Sequence, residues 1–567
     1  MTPATGTLLP FPSQPAAVVP EVRTRWWHAQ GPLGLACAVT IAVLFAVWLY
    51  SLAFLQGDTP FWWREGEDIS QYLIGFNAFV REPWHWPLLR MESLNAPQGT
   101  LATFLDTVPL YAMLLKLLRH GPDTPYWNPY GLWIAICFAL QGAGAWWICR
   151  EANLRRWSAL LAMTLLLASF PPFTFRVGHI SLMSHWILLF GVAIYIRSTR
   201  LGQLAVTPWV VLLPMAFYVN IYLFAMASAL FAADVVRQLI GGPARPALMA
   251  PLLAYGLLLA SMFATMLPMP PGAGEREWGF GYFSMNLLSP LSGGLLVQFD
   301  VSHANGQDEY ESYSYLGVFL LAMAAYVWRL RLRADPGLRA RHQPLCAVLV
   351  LLTLYALSNI VYLGPVKLMS VNTQLLEPVT SVFRASGRFF WPVGYVLVVF
   401  TVIGLARYLP PRRAALLLAA VTALQLWDLG PHHARSRTAV AKSATSLIDA
   451  ARWEAFLGKD VRAIHYYPPF RCSKAASQPL LLPTMHYAVR HGYTMSTGYI
   501  ARARKPCDNY AGEIAALPAT TAVLFEKDDF PELRQPMNLL GPSGVCADMG
   551  LAWLCRRDGN RLTENKQ

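Results

Sequence analysis

Long apolar blocks constrain the fold of this chain more than any other feature of its sequence. They are rich in leucine, about 17 to 25 residues long, and recur as far as about residue 430. A helix of about 20 residues rises about 30 Å, the thickness of the hydrocarbon core of a bilayer. Charged residues make up only 14% of the 567 residues, against about 25% in soluble domains. The sequence therefore predicts a polytopic α-helical membrane protein.

Eleven apolar segments are predicted to cross the membrane. The first follows a Pro-rich segment, residues 1–32, which has no cleavable signal pattern. Two segments are short, because the polar turn Tyr218-Val219-Asn220 divides residues 207–236. Together they form a predicted transmembrane domain over residues 33–430. The predicted spans are 33–55, 127–149, 158–175, 180–196, 207–219, 221–236, 247–267, 314–330, 345–363, 389–406 and 413–430.

The distribution of Lys and Arg predicts the orientation of these spans. With the N-terminus in the cytoplasm, the inner segments hold 17 Lys and Arg residues and the outer loops hold 10. Cytoplasmic loops carry such an excess. The net charge of +13 therefore reflects membrane orientation, and no nucleic-acid partner is predicted, because the basic residues form no continuous stripe. An odd number of spans places residues 431–567 outside the cytoplasm.

The cysteines support that orientation independently. Four of the eight lie within apolar blocks, where single cysteines are usually inert packing residues. The other four lie in the polar C-terminal region, and disulfides form in oxidising compartments outside the cytoplasm. The sequence therefore predicts two disulfides among Cys472, Cys507, Cys546 and Cys555.

A loop of about 70 residues, 56–126, separates the first two predicted spans. Loops of that length are usually functional or disordered. Aromatic runs such as Phe61-Trp62-Trp63 argue against disorder and favour the membrane interface. We expect short amphipathic helices on the bilayer surface. One is predicted from Pro109 to Leu118, which is too short to cross.

Carboxylates are the chemically interesting groups of this loop. Glu65, Glu67 and Asp68 follow the first span, and Asp106 precedes the predicted interfacial helix. A carboxylate in such a position can act as a general base. A single loop carboxylate is more often a solvated charge, so its interpretation depends on the groups that surround it.

Basic groups occur at the same predicted face of the membrane. Arg384 and Arg388 are four residues apart, so a helix would place both guanidinium groups on one side. Arginine binds phosphate oxygens as a fork, and a lipid phosphate is a natural partner. The alternative is a pair of interfacial anchors among aromatic residues. His179 also lies at an outer junction, where it has either a binding or a structural role.

A second outer loop, about residues 268–312, carries six carboxylates and could close over a polar substrate. The sequence predicts no cofactor. A carboxylate-rich metal site is the alternative, but the loop has neither an EF-hand pattern nor the Cys and His spacing of a zinc site. The carboxylates are Glu275, Glu277, Asp300, Asp308, Glu309 and Glu311.

Several short motifs together resemble the GT-C superfamily of glycosyltransferases, which take sugars from polyprenyl-phosphate donors. The resemblance covers nearly the whole chain and is greatest with a bacterial branch that has an extra-cytoplasmic C-terminal domain. The motifs are Gly66-Glu67-Asp68 with Gln71, Pro97-Gln98-Gly99, Asp106-Thr107-Val108-Pro109-Leu110, Arg176-Val177-Gly178-His179, Arg384 to Trp391, Tyr466-Tyr467-Pro468-Pro469, and Gly498-Tyr499-Ile500-Ala501-Arg502.

The resemblance implies a multi-pass enzyme of the bacterial inner membrane. Such an enzyme would move a sugar, with inversion, from a polyprenyl-phosphate donor to a glycan, lipid or protein acceptor of the cell envelope. It implies Asp68 as the catalytic base, with Asp106 and Glu67 as alternatives. It also implies that Arg384 and Arg388 hold the donor phosphate.

The same resemblance offers His179 as a further phosphate ligand. It implies that the C-terminal region is a small periplasmic α/β domain for acceptor recognition. Within that region we expect two disulfides, Cys472–Cys507 and Cys546–Cys555.

Two other functional classes compete with this interpretation. A transporter or lipid flippase would also have many spans, but transporters tend to contain internal repeats and charged residues at mid-membrane. This sequence has no repeat between its halves, and its ionisable residues gather near the predicted outer face. A non-catalytic envelope scaffold is the third class, and it predicts that Asp68 can be replaced without loss.

Overall fold

The structure is a computed structural model that describes residues 28–242, 244–301, 313–334, 341–442, 445–475, 477–502 and 505–557. The predicted N-terminal segment therefore lies outside the described residues as far as residue 27. The helices of ten or more residues in the described part of the chain as far as residue 441 are α1 Pro32–Tyr50, α2 Asp68–Arg81, α3 Pro109–Leu118, α4 Tyr130–Glu151, α5 Trp157–Ala168, α6 Trp186–Leu201, α7 Val206–Val219, α8 Ile221–Gly241, α9 Ala244–Thr265, α10 Val318–Ala334, α11 Gln343–Leu357, α12 Trp391–Tyr408, α13 Pro411–Asp428 and α14 Gly430–Ala441.

Each predicted span overlaps one of these helices, but the count of eleven spans is not confirmed. In the described part of the chain, six helical segments are long and apolar enough to cross a membrane, or seven if α13 and α14, bent by 50°, form one broken span. The six are Pro32–Tyr50, Tyr130–Glu151, Ile180–Leu201, Ile221–Gly241, Ala244–Thr265 and Ser386–Tyr408. These apolar helices are those of a membrane protein.

The remaining four predicted spans form shorter helices for identifiable reasons. Helix α5 rises only about 18 Å, because Pro171 and Pro172 follow it closely. Asn220 ends α7 and caps α8 by accepting from the Tyr222 amide. The predicted break at residues 218–220 is confirmed, and α7 and α8 pack against each other. Helix α10 has 17 residues and ends in an arginine-rich sequence, and α11 has 15.

The predicted first outer loop, residues 56–126, is folded, and only part of it matches the expectation of a surface layer. Helix α3 begins and ends where it was predicted, and it exposes Leu114, Leu117 and Leu118. Helix α2, in contrast, is buried at every position from Ile69 to Val80. The C-terminal region covers it, because α2 packs against a helix from that region, Leu481–His491. The loop also contains a two-residue antiparallel ladder, β1 Arg90–Met91 with β2 Thr100–Leu101.

The C-terminal region is a small α/β unit, as predicted. Its helices are α15 Ala450–Leu457, α16 Leu481–His491, α17 Tyr510–Ala515 and α18 Arg534–Leu540. After a hairpin of the membrane part, β3 Ile360–Leu363 and β4 Val366–Ser370, its strands are β5 Ala463–Tyr467, β6 Thr494–Met495, β7 Thr521–Glu526, β8 Gly544–Asp548 and β9 Ala552–Arg557. They form one sheet in the order β6-β5-β7-β9-β8. Strands β6, β5 and β7 are parallel, and β9 is antiparallel to both neighbours.

Both predicted disulfides are present. Cys546 and Cys555 lie opposite each other on the neighbouring antiparallel strands β8 and β9, so their disulfide links these two strands. Cys472 and Cys507 join loops that are 35 residues apart in sequence. The two bonds are consistent with an oxidising compartment, because a reducing cytoplasm keeps such thiols free.

The α/β unit docks on the first outer loop. Gln71 of α2 donates to the Tyr499 carbonyl at 2.7 Å, and Lys505 donates to the Ala96 carbonyl at 2.8 Å. Apolar side chains from both parts form one continuous core. Part of the C-terminal unit is therefore held directly above α2, the helix that begins with Asp68.

Candidate functional site

The turn at Asp106 has an unusual backbone. Asp106 has φ 54° and Val108 has φ 51°. Asp tolerates the left-handed region, but a β-branched residue there is strained. Such strain persists only where the surroundings enforce the conformation, and it is frequent at functional sites.

Helices α2 and α4 enforce this turn. Tyr130 of α4 donates its hydroxyl to the Thr107 carbonyl at 3.1 Å, and the Thr107 hydroxyl donates to the Ala102 carbonyl at 3.0 Å. Gly75 of α2 lies so close that a Cβ atom there would be 2.6 Å from the Leu105 Cβ. The glycine therefore allows α2 to press against the turn and fixes where Asp106 lies.

Asp106 faces a solvent-accessible recess inside the protein. Its side chain is exposed, yet protein surrounds the carboxyl so closely that burial raises its pKa. The positive charges of His179, Arg388 and Arg384 oppose that rise, and the Asp68 carboxylate adds to it. Four of the residues singled out in the sequence therefore lie within electrostatic range of Asp106.

Asp68 lies at the first turn of α2, where the positive end of the helix dipole favours a carboxylate. Its Oδ2 is 3.5 Å from the His179 Nε2. Its Oδ1 accepts a hydrogen bond of 3.1 Å from the Tyr499 hydroxyl. The carboxylate therefore sits between a histidine of the membrane part and a tyrosine of the α/β unit, with 43% of its side chain exposed.

The Tyr499 phenol connects two groups of the site. Burial raises its pKa, the Asp68 carboxylate raises it further, and the Arg384 charge lowers it. Tyr72, one turn after Asp68, is affected in a similar way: burial raises its pKa, Asp106 and Asp68 add to the effect, and Arg388 opposes it. The pKa of each phenol is therefore affected by both a carboxylate and an arginine of the same site.

The two arginines do not lie on one helix, so helical spacing does not decide whether they share a face. Arg384 precedes a short 3-10 helix, Ser386–Phe390, which contains Arg388. Contacts with other segments replace the helical hydrogen bonds here: the Ala385 amide donates to the Tyr222 hydroxyl, and the Gly387 amide donates to the Phe283 carbonyl at 3.0 Å.

Both guanidinium groups pack on aromatic rings. Arg388 is 8% exposed and lies 4.6 Å from the centre of the Tyr222 ring. Arg384 lies 5.4 Å from the Phe283 ring and donates to the Trp278 carbonyl at 3.2 Å. The attraction between a cation and a ring face helps to hold each guanidinium in place.

Glu67 is directed elsewhere. It precedes α2, pairs with Arg64 at 3.0 Å, and exposes 59% of its side chain. Glu65 contacts His486 at 3.3 Å and Ser446 instead. The structure therefore groups Asp68 with Asp106, His179, Arg384 and Arg388, and leaves Glu67 outside that group.

The predicted second outer loop, about residues 268–312, contacts the α/β unit. Glu277 forms an ion pair of 2.7 Å with Arg471 of the α/β unit. Asp308, Glu309 and Glu311 lie outside the described residues. Within the described ranges, no group of three His, Cys, Asp or Glu side chains could hold a metal ion.

Sequence reasoning missed Tyr499 and Tyr72 as members of the site. Tyr499 lies within the motif Gly498-Tyr499-Ile500-Ala501-Arg502, so its segment was singled out without its role. No signal in the sequence shows that a residue 431 positions away donates to Asp68. Tyr72 could have been found from its spacing, because residues three to four apart share a helix face.

The chain was compared with known proteins and protein families. No curated protein matches it. Residues 39–430 match a family described as a domain of unknown function (DUF6311), and residues 452–557 match the DUF6311 C-terminal domain. The two matches fall on the helical part and on the α/β unit. The chain therefore belongs to the DUF6311 family.

Proposed function

We propose that this protein is an inverting glycosyltransferase that takes a sugar from a polyprenyl-phosphate donor at the outer face of the membrane. One observation carries the proposal. Asp68 and three basic side chains, Arg384, Arg388 and His179, lie within electrostatic range of Asp106, and His179 is 3.5 Å from Asp68. A base and a cluster of cations are what this transfer needs from a protein.

The proposed reaction is a single displacement. A carboxylate removes the proton from an acceptor hydroxyl, and the oxygen attacks the anomeric carbon. The bond from that carbon to the phosphate oxygen breaks, and its electron pair leaves with the polyprenyl phosphate. Arg384 and Arg388 neutralise the charge that develops on the phosphate, and the proton later passes from the carboxylate to water. One displacement inverts the anomeric centre.

Asp68 is the base in this proposal. It is open to the recess on one side and is oriented by Tyr499 and His179 on the other. Asp106 is the second candidate, because its raised pKa brings it closer to the pH at which a base works best. His179 lies beside Asp68 and bridges the base and the leaving phosphate.

The surroundings of the cations support a lipid donor. Arg388 belongs to the start of an apolar segment, Ser386–Tyr408, that is long enough to cross a membrane. A charged group at the end of such a segment is costly unless it is paired, stacked or hydrated. A phosphate at the membrane surface would meet these arginines while its polyprenyl chain remained in the bilayer.

The first prediction tests the reaction without knowledge of the acceptor. Enzymes of this type are expected to pass the sugar slowly to water when no acceptor is present. The full chain in proteoliposomes is incubated with radiolabelled polyprenyl-phosphate hexoses and pentoses, and label is counted in the aqueous phase. We expect release from at least one donor, with inverted anomeric configuration. Movement of intact donor across the bilayer without release would favour a flippase.

The second prediction concerns orientation. We propose an inner-membrane protein with a cytoplasmic N-terminus and a periplasmic α/β unit, supported by the arginine distribution and by the two disulfides. A reporter that is active only in the periplasm should work when fused after Gln567 and fail when inserted in residues 329–344. Activity at the second position and not at the first would overturn the orientation.

A further inference from the structure

A cavity of about 630 Å³ lies between the first outer loop and the α/β unit, apart from the recess at Asp106. Trp63, Arg81, Pro125, Tyr126 and Arg490 line it. Trp63 precedes α2, Arg81 is the last residue of α2, and Arg490 belongs to the last turn of α16. The cavity therefore exists only where the two parts of the protein meet.

Two guanidinium groups give this cavity a positive character. Arg81 donates to the backbone carbonyls of Val489 and Arg490 rather than to a carboxylate. Arg490 is exposed. Burial raises the pKa of the Tyr126 phenol, and the charges of Arg490 and Arg81 oppose this rise, each more strongly than the Glu65 carboxylate adds to it. Glu65 is already engaged by His486 and Ser446.

Aromatic rings form the other wall. The Trp63 and Tyr126 ring centres are 6.2 Å apart, and the His486 ring lies 5.0 Å from Tyr126 and is stacked on Trp63 at 6.4 Å. This mutual packing fixes the indole, and the cavity exposes part of it. An aromatic face attracts polarised C–H groups, such as those on one side of a pyranose ring.

The lining favours a sugar over a lipid. Its described lining consists of two aromatic residues, a proline and two arginines, without a leucine, isoleucine or valine for an acyl chain to contact. A guanidinium binds a carboxylate or phosphate with two parallel hydrogen bonds. The volume is within the usual range for small-ligand sites, about 300 to 1,000 Å³. The ligand chemistry that uses both walls is a pyranose bearing a negative charge.

The distance between the cavity and Asp68 limits which ligand could contact both. Asp68 and Arg81 are the two ends of α2, a helix of 14 residues, so their Cα atoms are about 20 Å apart. A ligand that reached from the cavity to Asp68 would have to contain several sugar units.

We propose that this interdomain cavity binds a negatively charged sugar unit of an acceptor glycan. Binding itself does not depend on the catalytic assignment; only the description of the ligand as acceptor rests on the proposed function. The α/β unit then contributes to recognition in two places, through Arg490 in the cavity and through Tyr499 at Asp68.

The test is direct binding to the full chain in nanodiscs, measured by calorimetry. The probes are tetragalacturonate and mannose 6-phosphate, with the methyl ester of the first and unmodified mannose as neutral counterparts. We expect at least one charged probe to bind, and each neutral counterpart to bind at least tenfold more weakly. Arg490→Ala should weaken the charged probe at least tenfold, because it removes a charge-assisted contact.

Two controls make the result specific. Arg534→Ala removes another exposed arginine of the same unit, one paired with Glu532, and should leave binding unchanged. Asp68→Asn should also bind mannose 6-phosphate normally, because one sugar unit does not reach from the cavity to Asp68, so a failure of catalysis and a failure of the cavity can be told apart. The proposal is overturned if neither charged sugar binds, if Arg490→Ala has no effect, or if inorganic phosphate or phosphatidylglycerol vesicles compete as well as the sugars do.

Discussion

Asp68→Asn is expected to abolish transfer while leaving the protein folded and able to bind its donor. The amide keeps the shape of the carboxylate and still accepts the hydrogen bond from Tyr499, but it cannot take the acceptor proton. Loss of a general base typically costs about 10² to 10⁴ in rate. The measurement is sugar release or transfer from the radiolabelled donor, together with donor binding to the same preparation.

The neighbouring carboxylates supply the controls. Glu67→Gln changes the adjacent residue, whose side chain points to Arg64, and should keep nearly full activity. Asp106→Asn distinguishes the two candidate bases. If Asp68→Asn remains fully active and Asp106→Asn does not, Asp106 is the base. If both variants remain fully active, neither carboxylate is the base and the proposed site is wrong. A scaffold becomes the better interpretation only if the unmodified chain neither releases nor transfers sugar.

Local patterns allowed much of the secondary structure to be predicted. Helix α3 follows from one apolar run that begins at a proline, because proline is favoured at the first turn of a helix. Strand β7 follows from the apolar run Thr521 to Phe525, in which Thr521, Val523 and Phe525 have high strand propensity. The disulfides follow from cysteine counts and compartment. Each of these inferences uses residues that are close in sequence or a rule that ignores distance.

The span count shows the limit of apolar periodicity. Helix α7 has only 14 residues, because Asn220 ends it, and α5 has only 12, because two prolines follow it. An apolar block tells us that a segment avoids water, but it does not distinguish a bilayer from a protein core. Helix α2 is an example of a buried helix that packs against protein, because the α/β unit covers it.

The assembly of the site could not be predicted from local rules. Asp68, Asp106, His179 and Arg388 were singled out as separate motifs, but their proximity depends on how α2 packs against the turn at Asp106. Gly75 permits that approach, but no local sequence pattern distinguishes this glycine from others in the chain. The contact from Tyr499 depends on docking of the whole α/β unit, which is a property of two surfaces rather than of any segment.

Arginine variants are expected to produce a different defect from Asp68→Asn. Arg384→Ala should weaken binding of polyprenyl monophosphate by about 10- to 150-fold, since a charge-assisted hydrogen bond contributes about 1.5 to 3 kcal/mol. Arg388→Lys should lose part of that affinity, because lysine keeps the charge but not the planar fork that stacks on Tyr222. The lysine variant avoids the cavity that alanine would leave at this buried position.

The control for these variants is Arg276→Ala, an outer-loop arginine that is 61% exposed and paired with Glu377. It should bind the lipid normally, because a surface pair of this kind contributes little. Binding is measured with the full chain in nanodiscs, and kcat and KM are determined for the same variants. A phosphate ligand should raise KM and also lower kcat, because the charge on the phosphate grows as it leaves. Unchanged affinity for polyprenyl monophosphate in both Arg384→Ala and Arg388→Lys would remove the arginines from the donor site, even if Asp68→Asn were inactive.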